Sequence, residues 1–182
     1  MNIQKFSLVF MLISRVFEPG PCPTLAATEY EQVARSLHNR YRVRHYARPL
    51  YSRDYLHRRA VRCAQFYVNL GTIDHSCPYV HEAGENIWAL WGGNPSNSQI
   101  ATRSTKSWYA EESQYRYKDR QSGTGHFTQM VWASSQYLGV GIWRNRNMAV
   151  AVALYYPAGN YRGEYRINVK RPSSYYRYRY RQ

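Results

Sequence analysis

The chain has 182 residues, enough for one domain with tails, and its 44% hydrophobic and 20% charged composition is that of a folded globular protein. No run approaches the roughly 20 apolar residues of a membrane-spanning helix, and a chain of this size can bury an ordinary core without disulfides. With 25 Lys+Arg against 11 Asp+Glu the formal charge is +14, which excludes an acidic protein and favours anionic partners.

The first residues carry one Lys and then an apolar run, Phe6, Leu8, Val9, Phe10, Met11, Leu12 and Ile13, with the small Ala26 and Ala27 downstream. That pattern reads as a signal peptide over residues 1–27, with a packed or disordered arm as the alternative. Three cysteines are present. Loss of Cys22 with a leader would leave Cys63 and Cys77, a short loop apart, free to form a disulfide; three unpaired thiols is the other reading.

Thr28 and Glu31 form a capping box, and Tyr30, Val33, Ala34, Leu37 and Tyr41 follow at helical spacing, so a helix is predicted to about Tyr46, ended by Pro49. A second helix is predicted from about Ser52 to Gly71, burying Leu56, Ala60, Cys63 and Tyr67. Residues 73–91 read as mixed and loop-rich, and Gly92-Gly93-Asn94-Pro95 is a break. A third helix, about 98–113, carries Ile100, Ala101, Ser104, Trp108 and Glu111 along one side.

Residues 127–133, 138–143 and 148–156 read as strands, the last two joined by a turn at Asn145-Arg146-Asn147. Helices followed by antiparallel strands indicate an α+β layered domain. Residues 170–182 form a Tyr/Arg-rich basic tail. Trp88, Trp132 and Trp143 lie on apolar runs and are predicted to be core.

Four residues have the chemistry of divalent-metal ligands: His75, Glu85, Glu111 and His126. Two imidazoles and two carboxylates suit zinc or a similar borderline ion. Their spacing alone does not unite them. His38, His45, His57 and His81 read as surface or hydrogen-bonded core groups.

The words around these residues resemble the CAP superfamily (cysteine-rich secretory proteins, antigen 5 and plant pathogenesis-related proteins). Gly-His-Phe-Thr-Gln-Met-Val-Trp at 125–132, continuing to Leu-Gly-Val-Gly at 138–141, is similar to the first family signature, and Leu-Tyr-Tyr-Pro-Ala-Gly-Asn at 154–160 to the second. His75-Ser76, Gly84-Glu85-Asn86-Ile87, and Leu37-His38-Asn39 with Pro49-Leu50 are further family words. The resemblance covers about residues 28–170 and implies one domain over 28–169, a three-layer α-β-α sandwich with a small antiparallel sheet. It also implies that His75, Glu85, Glu111 and His126 share one cleft. Ala153 stands where the second signature often has a Cys, as in the Golgi-associated branch, and Leu154 replaces a basic residue. The expected location is therefore extracellular, with a Golgi or membrane-associated site as the alternative.

Three kinds of function follow. A cation could activate water, with Glu85 or Glu111 as general base, although no Gly-x-Ser-x-Gly or His-Glu-x-x-His word is present. The preferred reading is binding: relatives are linked to sterols, fatty acids, membrane lipids and defence. Here Tyr109, Tyr115 and Tyr117, beside Trp108 and interleaved with Arg116, Lys118 and Arg120, could meet a lipid or an anionic membrane. The tail could instead pair with anionic polysaccharide or, less specifically, nucleic acid. Some relatives form homodimers.

Overall fold

In the computed structural model, residues 27–173 are described. The expected leader up to residue 26, with Cys22, and the tail beyond residue 173 lie outside them.

The first helix, α1 (Glu29–Arg44), starts where expected: Glu31 accepts hydrogen bonds from the backbone N–H and hydroxyl of Thr28, both 2.7 Å. It is followed by a two-residue strand, β1 (Tyr51–Ser52), and by α2 (Asp54–Leu70), which stops at Gly71 in the left-handed conformation. Then come β2 (Gly84–Trp91) and α3 (Asn97–Ala110), the latter capped by Ser96 and Gln99 and prolonged by a 3-10 turn over Glu111–Gln114. A short helix, α4 (Gly125–Val131), precedes the hairpin β3 (Tyr137–Arg144) and β4 (Met148–Tyr156), and α5 (Tyr165–Asn168) closes the order.

The sheet order is β1-β3-β4-β2. β3 and β2 pair antiparallel with β4, and β1 joins β3 in parallel. α2 covers one face, burying Leu56, Ala60, Ala64 and Val68 against Val150, Val152 and Leu154. α1, α3 and α4 cover the other, where Ile100, Trp108, Phe127 and Met130 meet Leu138, Val140, Ala151 and Ala153. This is the expected α-β-α sandwich. With both faces covered, eight consecutive residues of β4 are buried, so its sequence is a continuous apolar run without alternation. α2 lies directly on β3 at Gly139 and Gly141, where a Cβ would sit 2.2 Å and 2.1 Å from the helix backbone.

Three expectations are corrected. Residues 127–131 belong to α4 and not to a strand: all five side chains from Phe127 to Val131 are buried, and the aromatic and β-branched residues that suggest a strand serve a helix enclosed on every side. Within the stretch read as loop-rich, residues 84–91 form the edge strand β2. Trp143 is 40% exposed at the hairpin end of the sheet, whereas Trp132 is fully buried.

Two buried polar residues tie the layers together. Arg42 has no solvent exposure, and its guanidinium donates to the carbonyls of Arg48, Met130, Trp132 and Ser135 at 2.7–2.9 Å. Burial lowers its pKa to about 10. His38, also fully buried, meets the Ala34 carbonyl through Nδ1 and the Tyr155 hydroxyl through Nε2, both at 2.8 Å. Asn86 Nδ2 donates onward to the Tyr155 hydroxyl and to the His126 carbonyl.

Candidate functional site

A cleft of 390 Å³ is lined by His75, Glu85, Asn86, Glu111, Gly123, Gly125, His126 and Asn160. All four residues expected to meet there do so, each delivered by a different element. His75 lies in the α2–β2 connection, Glu85 is the second residue of β2, Glu111 opens the 3-10 turn after α3, and His126 is in the first turn of α4.

They meet as two His–Glu pairs. His75 Nδ1 is 2.8 Å from Glu85 Oε2, and His126 Nδ1 is 2.6 Å from Glu111 Oε1. Both carboxylates are further engaged. The Glu85 side chain is only 4% exposed and receives the Tyr67 hydroxyl at 3.1 Å. Glu111 Oε2 accepts the backbone N–H groups of His126 and Phe127 at 3.0 Å and 3.1 Å. It thereby supplies, from elsewhere in the chain, the cap that Thr124 does not give to α4.

With each Nδ1 held by a carboxylate, Nε2 is the nitrogen left for a ligand, as in carboxylate–histidine–metal arrangements. Each carboxylate fixes the orientation of one imidazole through its Nδ1. The only trio of such donor atoms within 4.8 Å of one another, among the described residues, is Cys63, Cys77 and Glu85.

The backbone of the site is constrained. His75 (φ 63) and Asn160 (φ 64) are both left-handed, a conformation that costs a non-glycine residue about 1 kcal/mol or more. Each is held by its side chain, His75 on Glu85 and Asn160 by donating to the Gly125 carbonyl and accepting from the Thr128 hydroxyl. The hydrogen bond His75 donates to Glu85 raises the pKa of His75, and burial raises that of Tyr67. Trp108 backs the ring of His126 at 6.4 Å between centroids and donates its indole N–H to the Ile87 carbonyl.

Beside the cleft, Cys63 of α2 and Cys77 form a disulfide. Tyr67, one turn after Cys63, links this bridge to the site: its hydroxyl accepts from the Cys77 N–H at 3.1 Å and donates to Glu85. Tyr67, Asn86 and Asn160 were not singled out from the sequence. The i, i+4 spacing of Cys63 and Tyr67 on one helical face was the available signal for the first.

Of the tyrosines expected to meet lipid, Tyr115 is buried and Tyr109 and Tyr117 are half-buried. Tyr109 stacks on Tyr41 (3.7 Å between centroids) and meets His45 Nε2 at 3.0 Å. Tyr115 is 5% exposed, and Tyr117 packs with it around Phe127. Burial pushes the pKa of both Tyr109 and Tyr115 up to about 12.

The cysteine-rich secretory protein family model matches residues 35–156. The chain belongs to this family, also called CAP. It is 31% identical over 140 residues to human "Golgi-associated plant pathogenesis-related protein 1", which covers 74% of this chain and 87% of that protein. It is 32% identical over 93 residues to "Venom allergen 5" of Vespula flavopilosa, covering 46% of this chain and 45% of the allergen. Among solved structures, "Crystal structure of NaASP2 with Zn2+" aligns with a TM-score of 0.65 at 22% identity, over 84% of this chain and 91% of that one, a likeness of fold. This CAP domain shares its family with both venom allergens and a Golgi-associated protein, and no described helix is long and apolar enough to cross a membrane.

Proposed function

We propose that this CAP protein is a secreted binding module whose cleft holds a divalent cation, zinc foremost, between the Nε2 atoms of His75 and His126. The observation that carries the reading is the convergence of two carboxylate-oriented imidazoles on one 390 Å³ cleft. Two neutral imidazoles leave coordination positions for water or for a polar group of a partner. A solved relative in fold is described as containing Zn2+, and venom allergens of the family support the extracellular location. The engagement of Glu85 and Glu111 with other donors argues for a binding role over a general-base role. Metal analysis and calorimetry on the wild type and on a His75→Ala, His126→Ala variant test this. Loss of stoichiometric metal from the variant is expected; equal metal in both discards the cleft.

A second reading concerns an anionic partner. A 500 Å³ groove is flanked by the exposed rings of Tyr46 and Tyr51 and by Arg48, with Arg53 over the Tyr137 ring at 4.2 Å. Flat aromatic faces beside arginines that pair with no carboxylate among the described residues fit a sulfated glycan, whose rings stack while its sulfates pair with guanidinium groups. Salt-dependent retention on a sulfated-polysaccharide column, reduced by Arg48→Glu, is the expected result. Unchanged retention removes the groove from consideration.

A further inference from the structure

The Cys63–Cys77 bridge lies against a carboxylate of the cleft. Both sulfurs and a carboxylate oxygen of Glu85 lie within 4.8 Å of one another, although they come from a helix, a loop and a strand. Cys63 and Cys77 are buried, at 0% and 6% exposure. Glu85 has His75 as its ionic partner among the described residues, and His75 is an exposed side chain in a left-handed backbone position. While the bridge is closed, the sulfurs carry no charge. Opening the bridge places two ionisable thiols beside a nearly buried carboxylate. Two thiols and a carboxylate at that spacing offer a divalent cation three ligand atoms from one side.

We propose that the reduced form of this protein contains a second metal site, in which the thiolates of Cys63 and Cys77 and the carboxylate of Glu85 bind zinc with water as fourth ligand. The chemistry balances: a dithiol reductant is oxidised to its disulfide as the Cys63–Cys77 bond is cleaved to two thiols. Zinc then replaces both thiol protons, which pass to solvent. Two sulfurs on a tetrahedral zinc, each at about 2.3 Å, stand about 3.7 Å apart, so a small separation of the two side chains suffices. A disulfide oxidant, itself reduced to its dithiol, re-forms the bridge and expels the ion. Glu85 belongs to both sites, so reduction withdraws it from His75. The proposal shares that residue with the cleft reading but does not depend on metal binding there.

Cobalt(II) tests this as a zinc probe. The full-length protein with Cys22→Ser, which removes the remaining thiol, is titrated anaerobically before and after reduction by a phosphine. Thiolate-to-cobalt charge-transfer bands are expected only in the reduced form, lost on adding zinc. Cys77→Ser should abolish them. Glu85→Gln in the reduced protein should weaken zinc binding by at least about tenfold, while His126→Ala with Glu111→Gln should leave these bands intact even if the cleft loses its metal. Absence of charge-transfer bands in the reduced protein overturns the proposal. So does a reduced protein that has unfolded, recognised by circular dichroism and by indifference of its cobalt affinity to Glu85→Gln.

Discussion

Glu111 holds His126 twice, taking the imidazole N–H on one carboxylate oxygen and the backbone N–H on the other. The residue that aims the ring thus also starts the helix that carries it. Glu111→Gln keeps the shape but replaces one acceptor oxygen by a donor and removes the charge facing the helix start. We expect a loss of about 1–2 kcal/mol of stability in urea denaturation. Zinc affinity should fall 10–100-fold, as is typical when the partner behind a metal-ligating imidazole is removed. Unchanged zinc affinity with lowered stability would restrict Glu111 to capping.

Acid should destabilise the fold through His38. Its neutral form suits the surrounding hydrogen bonds, with Nδ1–H donating to Ala34 and Nε2 accepting from Tyr155, whose oxygen receives Asn86. A second proton would set two donors against each other. Burial lowers its pKa to about 4, from 6.5. Between these values the unfolded chain binds a proton that the folded chain refuses. Stability is therefore complete above about pH 6.5 and falls as the pH drops towards 4, by up to about 3 kcal/mol. Urea midpoints at pH 7 and pH 4.5, in the wild type and in His38→Gln, measure this; the variant should show the smaller decrease.

Gly141→Ala should be among the more damaging small substitutions. The new methyl carbon would lie 2.1 Å from the backbone of Ala60 and Val61, which cannot move without lifting α2 from β3. A cost of about 2 kcal/mol or more is expected, readable as a lower thermal midpoint. A neutral effect would mean that the helix rides less closely on the sheet.

Tyr115→Ala distinguishes a core ring from a lipid contact. The ring is nearly buried against Phe127 and Tyr117, so its loss should cost about 3 kcal/mol. Flotation with anionic vesicles should then be unaltered for the fraction that remains folded. Reduced flotation at unchanged stability would restore the lipid role.

Much of this architecture was legible in the residues. The Thr28–Glu31 cap, the spacing along α1 to α3 and the Asn145–Asn147 turn have local causes, and local causes can be read locally. The first turn of α4 could not be read so, because its cap is Glu111, 15 residues earlier in the chain. β2 was hidden because Gly84-Glu85-Asn86 looks like loop chemistry, although Asn86 is 1% exposed and its amide is fully used by Tyr155 and His126. The cleft residues were recognisable through family words, but their arrangement as two pairs was not, since spacing says nothing of which oxygen faces which nitrogen. Arg42 passed unnoticed because a charged residue on an amphipathic helix ordinarily faces water.

That arginine has a consequence for how the chain can vary in length. One planar group clasps carbonyls before β1 and on both sides of Trp132, so the segment from Met130 to Ser135 is measured against a fixed ruler. An inserted residue there would push at least one carbonyl out of reach. The exposed turn at Asn145–Asn147, held by the Asn145 side chain and by one bond from Gly92 to the Asn147 carbonyl, offers a more permissive place for grafted epitopes or tags.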